Sequence, residues 1–346
     1  RALFEHRGVV VGGGRGGRVG ALGALAGGVG GGGLVSGEVV RGEVVFVFPG
    51  QGSQWLGMGL ELCEAFPVFG ERLRLCGEAL EPYVGWSLLD VLGGGVGVPS
   101  LERVDVVQPA LFAVMVSLAG LWGSLGVVPS AVVGHSQGEI AAACVAGVLS
   151  LDDAARVVAV RSGALRGLSG GGAMGVVSLG VGEVVGRLVG VWGGLSVAAV
   201  NGPASTVVAG EPGVVEGFLG VLAGEGCQVR RVPVDYASHS VQVEGVREGL
   251  VGGLSGVVGR SGDVPFFSTV TGGVVDGAGL DGGYWFRNLR ETVRFEDAVR
   301  GLLGGGRRLF VECSPHPSLL GSVVDTADEV GVSVAAVGSL RRGEGG

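Results

Sequence analysis

The sequence predicts an α/β protein in which a large subdomain on a short parallel sheet carries an inserted, smaller ferredoxin-like (βαββαβ) subdomain. Two apolar runs, 43–48 and 130–133, each lead into a polar turn, as buried parallel strands commonly do. Residues 173–235 instead alternate strand-like and helix-like segments in the order β-α-β-β-α-β. The chain has 346 residues, 47% apolar and 16% charged, and can therefore bury a sizeable core.

The large subdomain begins with alternating strand and helix signals. In chain order we expect a strand over 43–48, a loop over 49–54 and a helix over 109–125 with proline near its first turn. A second strand over 130–133 and a second helix over 137–149 follow. Ser150 and Asp153 then form a capping box that opens a further helix. On that helix Arg161 occupies a position of the apolar stripe.

The small subdomain is predicted from six segments. Its strands are AMGVVSLG, LSVAAVNG, STVVAGEP and CQVRRVPVD, and its helices are VGEVVGRLVGVW and GVVEGFLGVLAGEG. Residues 240–320 return to helices, with one further strand over 308–312. The glycine-rich residues 1–43 lack such patterning and are interpreted as a linker, so ordered structure is expected to begin at Glu43.

Charge and hydropathy exclude several functional classes. The net charge is −8 and no basic cluster occurs, which argues against a nucleic-acid partner. Residues 106–138 carry no formal charge and could pass for a membrane span, but glycines and a polar turn favour a buried core helix. The five cysteines have no metal-binding spacing and predict thiols in a reducing, cytoplasmic compartment. No signal peptide is predicted.

The stretch VVGHSQGE, 132–139, places Ser136 between two glycines, after a predicted strand and before a predicted helix. This is the nucleophile-elbow pattern, in which a strained turn exposes the serine oxygen and the next helix directs backbone N–H groups toward it. The alternative is a tightly packed turn with no chemical role. The pattern favours a catalytic serine.

A catalytic serine requires a base, and two histidines are candidates. His239 follows the last strand of the small subdomain and would lie at the seam between subdomains, where pockets form. His316 lies between two prolines in a rigid turn. His135, beside the serine in sequence, is expected to point away and to be structural. We therefore prefer His239.

Arg161 indicates the substrate class. An arginine on a buried stripe is costly unless an anion meets it. One interpretation is an ion pair with a carboxylate of the protein; the other is a clamp for a substrate carboxylate. Only the second bears on function, because an esterase has no general need of such a clamp.

Six motifs together resemble the acyltransferase domain of modular polyketide synthases and, more distantly, malonyl-CoA:acyl-carrier-protein transacylases. The motifs are GQGSQ (50–54), GHSQG (134–138), Arg161 placed 25 residues after the serine, NGP (201–203), YASH (236–239) and SPHPSL (314–319). The resemblance covers about 44–340 and implies an α/β-hydrolase-like large subdomain.

The resemblance also implies domain boundaries. Residues 1–43 would be the remnant of the linker after a ketosynthase domain, 44–172 and 237–325 the two parts of the large subdomain, 173–236 the small subdomain, and 326–346 a C-terminal strand with the following linker. No ketosynthase cysteine motif or carrier-protein serine motif is seen, so the chain resembles a piece of a larger synthase.

The resemblance implies roles for the main site residues. Ser136 would take the acyl group as an ester, and His239 would act as general base and then as acid. Backbone N–H groups of Gln51 and Gln137 would form the oxyanion hole, and Arg161 would pair with the carboxylate of the extender unit.

Further residues are assigned in the same way. Asn201 would support the pocket, and the backbone carbonyl of Asn288 would orient the histidine. Gln137, Tyr236 and Ser238 resemble the methylmalonyl-type pattern; the malonyl type carries HAFH in place of YASH. A small side chain at 238 would leave room for the α-methyl group.

The implied reaction needs no permanently bound cofactor and no metal. The substrate would be a coenzyme A thioester, and the acceptor the phosphopantetheine thiol of an acyl carrier protein. The adjacent ketosynthase domain and linkers of the same synthase would be further partners in antibiotic-type polyketide biosynthesis. Two alternatives stay open: an α/β-hydrolase that releases the acyl group to water, with His316 late in the chain, and a non-catalytic docking piece of a synthase.

Overall fold

The computed structural model describes residues 4–12 and 14–344. By its internal contacts the chain divides into two compact units, Arg1–Gly42 and Glu43–Gly346. The first unit contains strand β1 (His6–Val10), helix α1 (Arg15–Ala26) and strand β2 (Leu34–Glu38).

The expectation that order begins only at Glu43 is wrong. Strands β1 and β2 pair antiparallel, with Val9 opposite Val35 and Val10 opposite Leu34. These short β-branched and aliphatic pairs stabilise a two-stranded ladder, and the surrounding glycines conceal them in the sequence.

The large unit is built on a six-stranded sheet that is parallel except at one edge. Its strands are β3 (Glu43–Phe48), β4 (Ala131–Gly134), β9 (Phe266–Ser268), β10 (Gly273–Val275), β12 (Arg307–Glu312) and β13 (Ala335–Gly338). Their order is β10-β9-β4-β3-β12-β13, and only β10 runs antiparallel to its neighbour. Strand β4, which leads to Ser136, lies inside the sheet.

Helices cover both faces of this sheet because its strands are apolar on both sides. Along β3, Phe46 and Phe48 pack into one hydrophobic cluster, whereas Val45 and Val47 pack into another. The helices are α2 (Leu60–Ala65), α3 (Pro67–Leu80), α4 (Leu88–Gly93), α5 (Val104–Ser124), α6 (Gly138–Val145), α7 (Leu151–Arg166), α10 (Arg247–Gly253), α11 (Gly282–Arg290), α12 (Phe295–Gly304) and α13 (Leu320–Glu329). Two 3₁₀ turns, Val241–Val246 and Gly277–Gly279, complete the set.

Helix α5 is the long apolar segment predicted to be a core helix. It is long and apolar enough to cross a bilayer, but 89% of its most apolar window is buried inside the protein. It begins at Val104, five residues before the predicted start, and Pro109 lies within it. Burial of Val106 and Val107 favours extending the helix across the proline, which lacks one hydrogen bond.

The small subdomain has the predicted βαββαβ order. Its elements are β5 (Ala173–Val177), α8 (Val181–Leu188), β6 (Ser196–Gly202), β7 (Ser205–Gly210), α9 (Pro212–Gly224) and β8 (Val229–Arg231). The sheet order is β11-β6-β7-β5-β8, in which β11 (Val293–Arg294) is added from outside the subdomain. The predicted fold class is therefore confirmed.

Candidate active site

Ser136 lies on a sharp turn between β4 and α6. Its φ is 54°, in the left-handed region that residues other than glycine rarely adopt. The flanking glycines make the turn possible, because a Cβ at Gly134 would lie 2.3 Å from the nitrogen of Glu139 and one at Gly138 would lie 2.1 Å from the carbonyl oxygen of Phe48. The local geometry is that of a nucleophile elbow.

His239 contacts the serine directly. Its Nε2 lies 2.8 Å from Ser136 Oγ, and its Nδ1 lies 2.8 Å from the backbone oxygen of Glu291. A carbonyl only accepts, so Nδ1 carries the proton and Nε2 is free to accept from the serine hydroxyl. Burial, reinforced by the Arg161 charge, lowers the pKa of His239 to about 3, which keeps the imidazole neutral.

The structure corrects the residue that orients this histidine: it is Glu291, not Asn288. Helix α11 ends at Arg290, and the carbonyls of its last turn have no partner within the helix. His239 uses two oxygens at this helix end: its N–H donates to Leu289 O at 2.9 Å and its Nδ1–H to Glu291 O. The Asn288 side chain instead donates to the backbone oxygen of Ser136 at 3.1 Å.

Arg161 is buried to 1% exposure at the serine. Its Nη2 lies 3.0 Å from Ser136 Oγ and its Nη1 lies 3.0 Å from Gln108 Oε1, whereas its Nε has no hydrogen-bond partner among residues 4–12 and 14–344. Within the described residues no carboxylate forms an ion pair with Arg161, so the ion-pair interpretation is wrong. Burial lowers its pKa to about 10, and the guanidinium stays charged at neutral pH.

Gln51 and Gln137 both line the pocket that contains Ser136. Neither backbone N–H donates to another group in the described part of the chain, so both are free to meet a ligand oxygen. The Gln137 side chain is buried to 1% exposure, and neither amide atom has a hydrogen-bond partner in the part of the chain that the structure describes. The Gln51 side chain accepts from the Tyr236 hydroxyl at 2.9 Å.

Asn201 and Ser238 lie on the small-subdomain side of the pocket. The Asn201 Oδ1 is 2.8 Å from His135 Nε2, so it supports the elbow through His135 and does not touch Ser136 or His239. His135 points away from the serine, as expected, yet it also lines the pocket. The Ser238 hydroxyl lies 3.5 Å from Met174 Sδ.

The second candidate base lies elsewhere. His316 Nδ1 accepts from the backbone N–H of Arg342 at 3.3 Å, and His316 is not among the residues that line the pocket. Between the two histidines the geometry favours His239. No group of three or more metal-binding side chains occurs in the described residues.

Comparison with known protein families assigns the chain to one of them. The family described as "Acyl transferase domain" matches residues 45–346. The chain belongs to the acyltransferase domain family.

Relatives of this acyltransferase domain are polyketide synthases. It is 54% identical over 348 residues to polyketide synthase GfsB of Streptomyces halstedii, and 55% identical over 348 residues to spectinabilin polyketide synthase system protein NorA of Streptomyces orinoci. All of this chain is covered, but it spans 6% of the length of the first relative and 18% of the second.

Solved structures similar to this chain are also acyltransferases. The acyltransferase domain from module 8 of the salinomycin polyketide synthase superposes with a TM-score of 0.97 at 53% identity, covering 100% of this chain and 82% of that one. The malonyl CoA-acyl carrier protein transacylase (fabD) from Coxiella burnetii superposes with a TM-score of 0.77 at 27% identity, covering 88% of this chain and 96% of that one. The predicted resemblance and the enzyme class, an acyltransferase, are confirmed.

Two parts of the acyltransferase site were missed in the sequence. Gln108 joins Arg161 to Gln51, because its Nε2 lies 3.5 Å from Gln51 Oε1. Glu139 is fully buried behind the elbow. It accepts from the Tyr284 hydroxyl and Asn288 Nδ2, both at 2.9 Å.

Both missed residues had a signal: each is a polar residue with apolar residues on most positions of its helix. Glu139 also accepts from the backbone and hydroxyl of Thr269. Burial raises the pKa of the Glu139 carboxyl, and its four donors oppose that rise.

Proposed function

We propose that this domain transfers an extender acyl group from coenzyme A to Ser136 and then to the phosphopantetheine thiol of an acyl carrier protein. One observation carries the proposal: Ser136 Oγ lies within hydrogen-bond distance of both the neutral base His239 and the buried cation Arg161. A base beside a hydroxyl activates a nucleophile. An unpaired buried guanidinium selects an acyl group that brings its own carboxylate.

The chemistry proceeds in two balanced half-reactions. Ser136 Oγ attacks the thioester carbonyl while His239 Nε2 takes its proton, and the C–S bond then breaks as that proton passes to the leaving thiolate. The carrier thiol next attacks the carbonyl of the serine ester and gives its proton to His239. The ester C–O bond then breaks, His239 returns the proton to Ser136 Oγ, and the acyl group stays on the carrier sulfur. Backbone N–H groups of Gln51 and Gln137 would stabilise the oxyanion in both steps.

Arg161 would hold the free carboxylate of the extender unit. In the resting site its Nη2 contacts the serine oxygen, so a bound carboxylate would lie close to the reacting ester.

The extender unit that we propose is methylmalonyl, in preference to malonyl. Ser238 is small and buried to 6% exposure in the pocket lining, which leaves space beside Met174 for an α-methyl group. Tyr236 is held by Gln51 and keeps its ring in a fixed position. One methyl group in an apolar pocket is worth about 1–3 kcal/mol, so we expect a preference of about 10- to 200-fold.

The relatives, which are polyketide synthases, support a proposal for the wider setting. We propose that the domain works in the cytoplasm within such a synthase, next to a ketosynthase, with residues 1–43 as the linker between them. It would hold no permanent cofactor.

Intact mass spectrometry after mixing with a panel of acyl-CoAs tests the function. We expect one acyl adduct on the wild-type protein, absent from Ser136→Ala, and discharged by a holo carrier protein without release of free acid. An adduct that persists on Ser136→Ala would refute the nucleophile. Release of free acid as the main product would favour the hydrolase alternative. If the protein formed no acyl adduct and a serine-directed fluorophosphonate did not label it, the docking-piece alternative would be favoured.

A further inference from the structure

The charged residues that line the pocket are both arginines. Arg161 lies deep beside Ser136, and Arg230 is exposed on β8. Among the described residues no aspartate or glutamate lines this pocket, although the chain has a net charge of −8. The pocket is therefore positive at two separate places in an acidic protein.

Arg230 faces the pocket because of its position on the strand. Side chains alternate between the two faces of a strand, and Arg230 lines the pocket together with Val232, which follows β8 and still donates its backbone N–H to Met174 of β5. The neighbouring Arg231 faces the other side and forms an ion pair with Glu216 of α9. The Arg230 side chain forms no hydrogen bond or ion pair in the described part of the chain, so its guanidinium is free for a ligand.

A row of paired residues connects Arg230 to the catalytic end of the pocket. Arg230 is opposite Val176, Val176 is opposite Val207, and Val207 is opposite Ala199, and all four line the pocket. Two residues after Ala199 on β6 comes Asn201, which contacts His135 beside the nucleophile. The row spans three strand spacings, about 14 Å.

We propose that Arg230 binds the phosphate of the 4′-phosphopantetheine arm, which coenzyme A and the holo carrier protein share. The inference rests on the proposed function and extends it. A substrate with a carboxylate at one end and a phosphate at the other matches a pocket with one cation at each end and an apolar floor between them. The same arginine then serves both half-reactions, because donor and acceptor present the same arm.

The length of the arm fits the row. About thirteen bonds separate the sulfur from the phosphorus of phosphopantetheine, and an extended peptide-like chain advances roughly 1.1–1.2 Å per bond, so the arm spans about 15 Å. This is close to the width of the sheet from β6 to β8. The two aliphatic side chains between them, Val176 and Val207, offer an apolar surface to the arm.

Paired substrates with and without the phosphate test the proposal. For Arg230→Ala we expect kcat/KM for Ser136 acylation by methylmalonyl-CoA to fall about tenfold, the loss of one solvent-exposed charge-assisted contact. Acylation by the methylmalonyl thioester of N-acetylcysteamine, which has no phosphate, should be unchanged. Arg230→Lys should recover part of the loss, and Arg231→Ala, on the opposite face, should behave as wild type with both donors.

The second half-reaction separates the two sources of the phosphate. Discharge of the acylated Arg230→Ala protein should slow with phosphopantetheine and with holo carrier protein, but not with pantetheine. If Arg230→Ala slowed only acylation by methylmalonyl-CoA, Arg230 would be assigned to the nucleotide phosphates of coenzyme A and the shared role would be refuted. Equal losses of kcat/KM with methylmalonyl-CoA and the N-acetylcysteamine thioester, or no loss with either, would also refute the proposal. A wild-type protein that neither donor acylates would instead refute the proposed function.

Discussion

Ser136 and His239 are the two residues other than glycine with positive φ in the described part of the chain, at 54° and 58°. Such conformations cost of order 1–3 kcal/mol each and persist only where neighbouring contacts impose them. The contacts are present: Asn288 donates to the Ser136 carbonyl, and the His239 N–H donates to Leu289. These backbone conformations orient the two side chains toward each other, with Ser136 Oγ 2.8 Å from His239 Nε2.

The lowered pKa of His239 predicts an unusual pH profile. A histidine with the ordinary pKa near 6.5 would be protonated, and lost as a base, as pH falls from 7 to 5. With a pKa of about 3 in the folded protein, His239 stays neutral through that range. We expect kcat/KM for acylation, measured by stopped-flow with methylmalonyl-CoA, to show no inflection near pH 6.5.

The control for this profile is Arg161→Ala assayed with acetyl-CoA. Removal of the adjacent positive charge should raise the His239 pKa, so the acid limb should move to higher pH. A wild-type profile with an inflection near 6.5 would contradict the depressed value.

Arg161→Ala also tests substrate selection. The variant should lose activity with malonyl-CoA and methylmalonyl-CoA by about 3–5 kcal/mol, because their carboxylate would be buried without a partner. It should retain or gain activity with acetyl-CoA, which brings no charge. Specificity constants for the three donors measure this, and equal losses for all of them would mean that Arg161 acts only in folding.

The extender preference is tested by competition between malonyl-CoA and methylmalonyl-CoA. The wild type should favour methylmalonyl. The double variant Tyr236→His with Ser238→Phe should shift the ratio toward malonyl, because a phenyl ring fills the space left by Ser238. An unchanged ratio in the double variant would show that these positions do not set the choice.

At the scale of elements, the elbow depends on the close approach of α6 to the end of β3. The Cβ of an alanine at 138 would lie 2.1 Å from Phe48 O, a backbone atom that cannot move aside. Gly138→Ala should therefore destabilise the protein by several kcal/mol or prevent folding.

A second glycine supplies the matched control for this prediction. Gly123, in the last turn of α5, is exposed, and a Cβ there would meet nothing within 4 Å. Gly123→Ala should stabilise the fold by about 0.5–1 kcal/mol. The free energies of unfolding of Gly138→Ala and Gly123→Ala, measured in urea, test this prediction. Similar values for the two variants would refute the close approach of α6 to Phe48.

The element order was largely predictable from the sequence, and the errors have physical causes. The βαββαβ order and the capping of α7 by Ser150 were predicted, the latter seen as a 3.0 Å bond from Asp153 N to Ser150 Oγ. Strands β9, β10 and β11 were missed. They have two or three residues each, too few to show a period, and they form because neighbouring strands pair with them.

At the scale of the whole molecule, Glu139 joins α6 to two distant segments behind the candidate active site. Its Oε1 accepts from Thr269 after β9, and its Oε2 accepts from Tyr284 and Asn288 of α11. Each oxygen faces an N–H donor, the Thr269 backbone or the Asn288 amide, so an amide in either orientation would turn its NH₂ group toward an N–H.

Glu139→Gln should therefore reduce the free energy of unfolding by about 2–3 kcal/mol, because a buried NH₂ group would face donors. Activity should fall as well, since Asn288 also holds the Ser136 carbonyl. The exposed Glu216→Gln, which breaks a surface ion pair, should change stability by less than about 1 kcal/mol. Equal stabilities of the two variants in urea would contradict the role of Glu139.

The sequence by itself marked the residues to which we assign the chemistry. Ser136 is marked by the glycines around it, Arg161 by its place on an apolar stripe, and His239 by following the last strand of the small subdomain. These signals are local. Only the tertiary structure decided that Arg161 meets no carboxylate, that Glu291 orients His239, and that Arg230 faces the pocket. The contact between His239 and Glu291 joins residues 52 positions apart, and Ser136 and His239 are 103 positions apart. Packing sets such contacts, and spacing along the sequence does not.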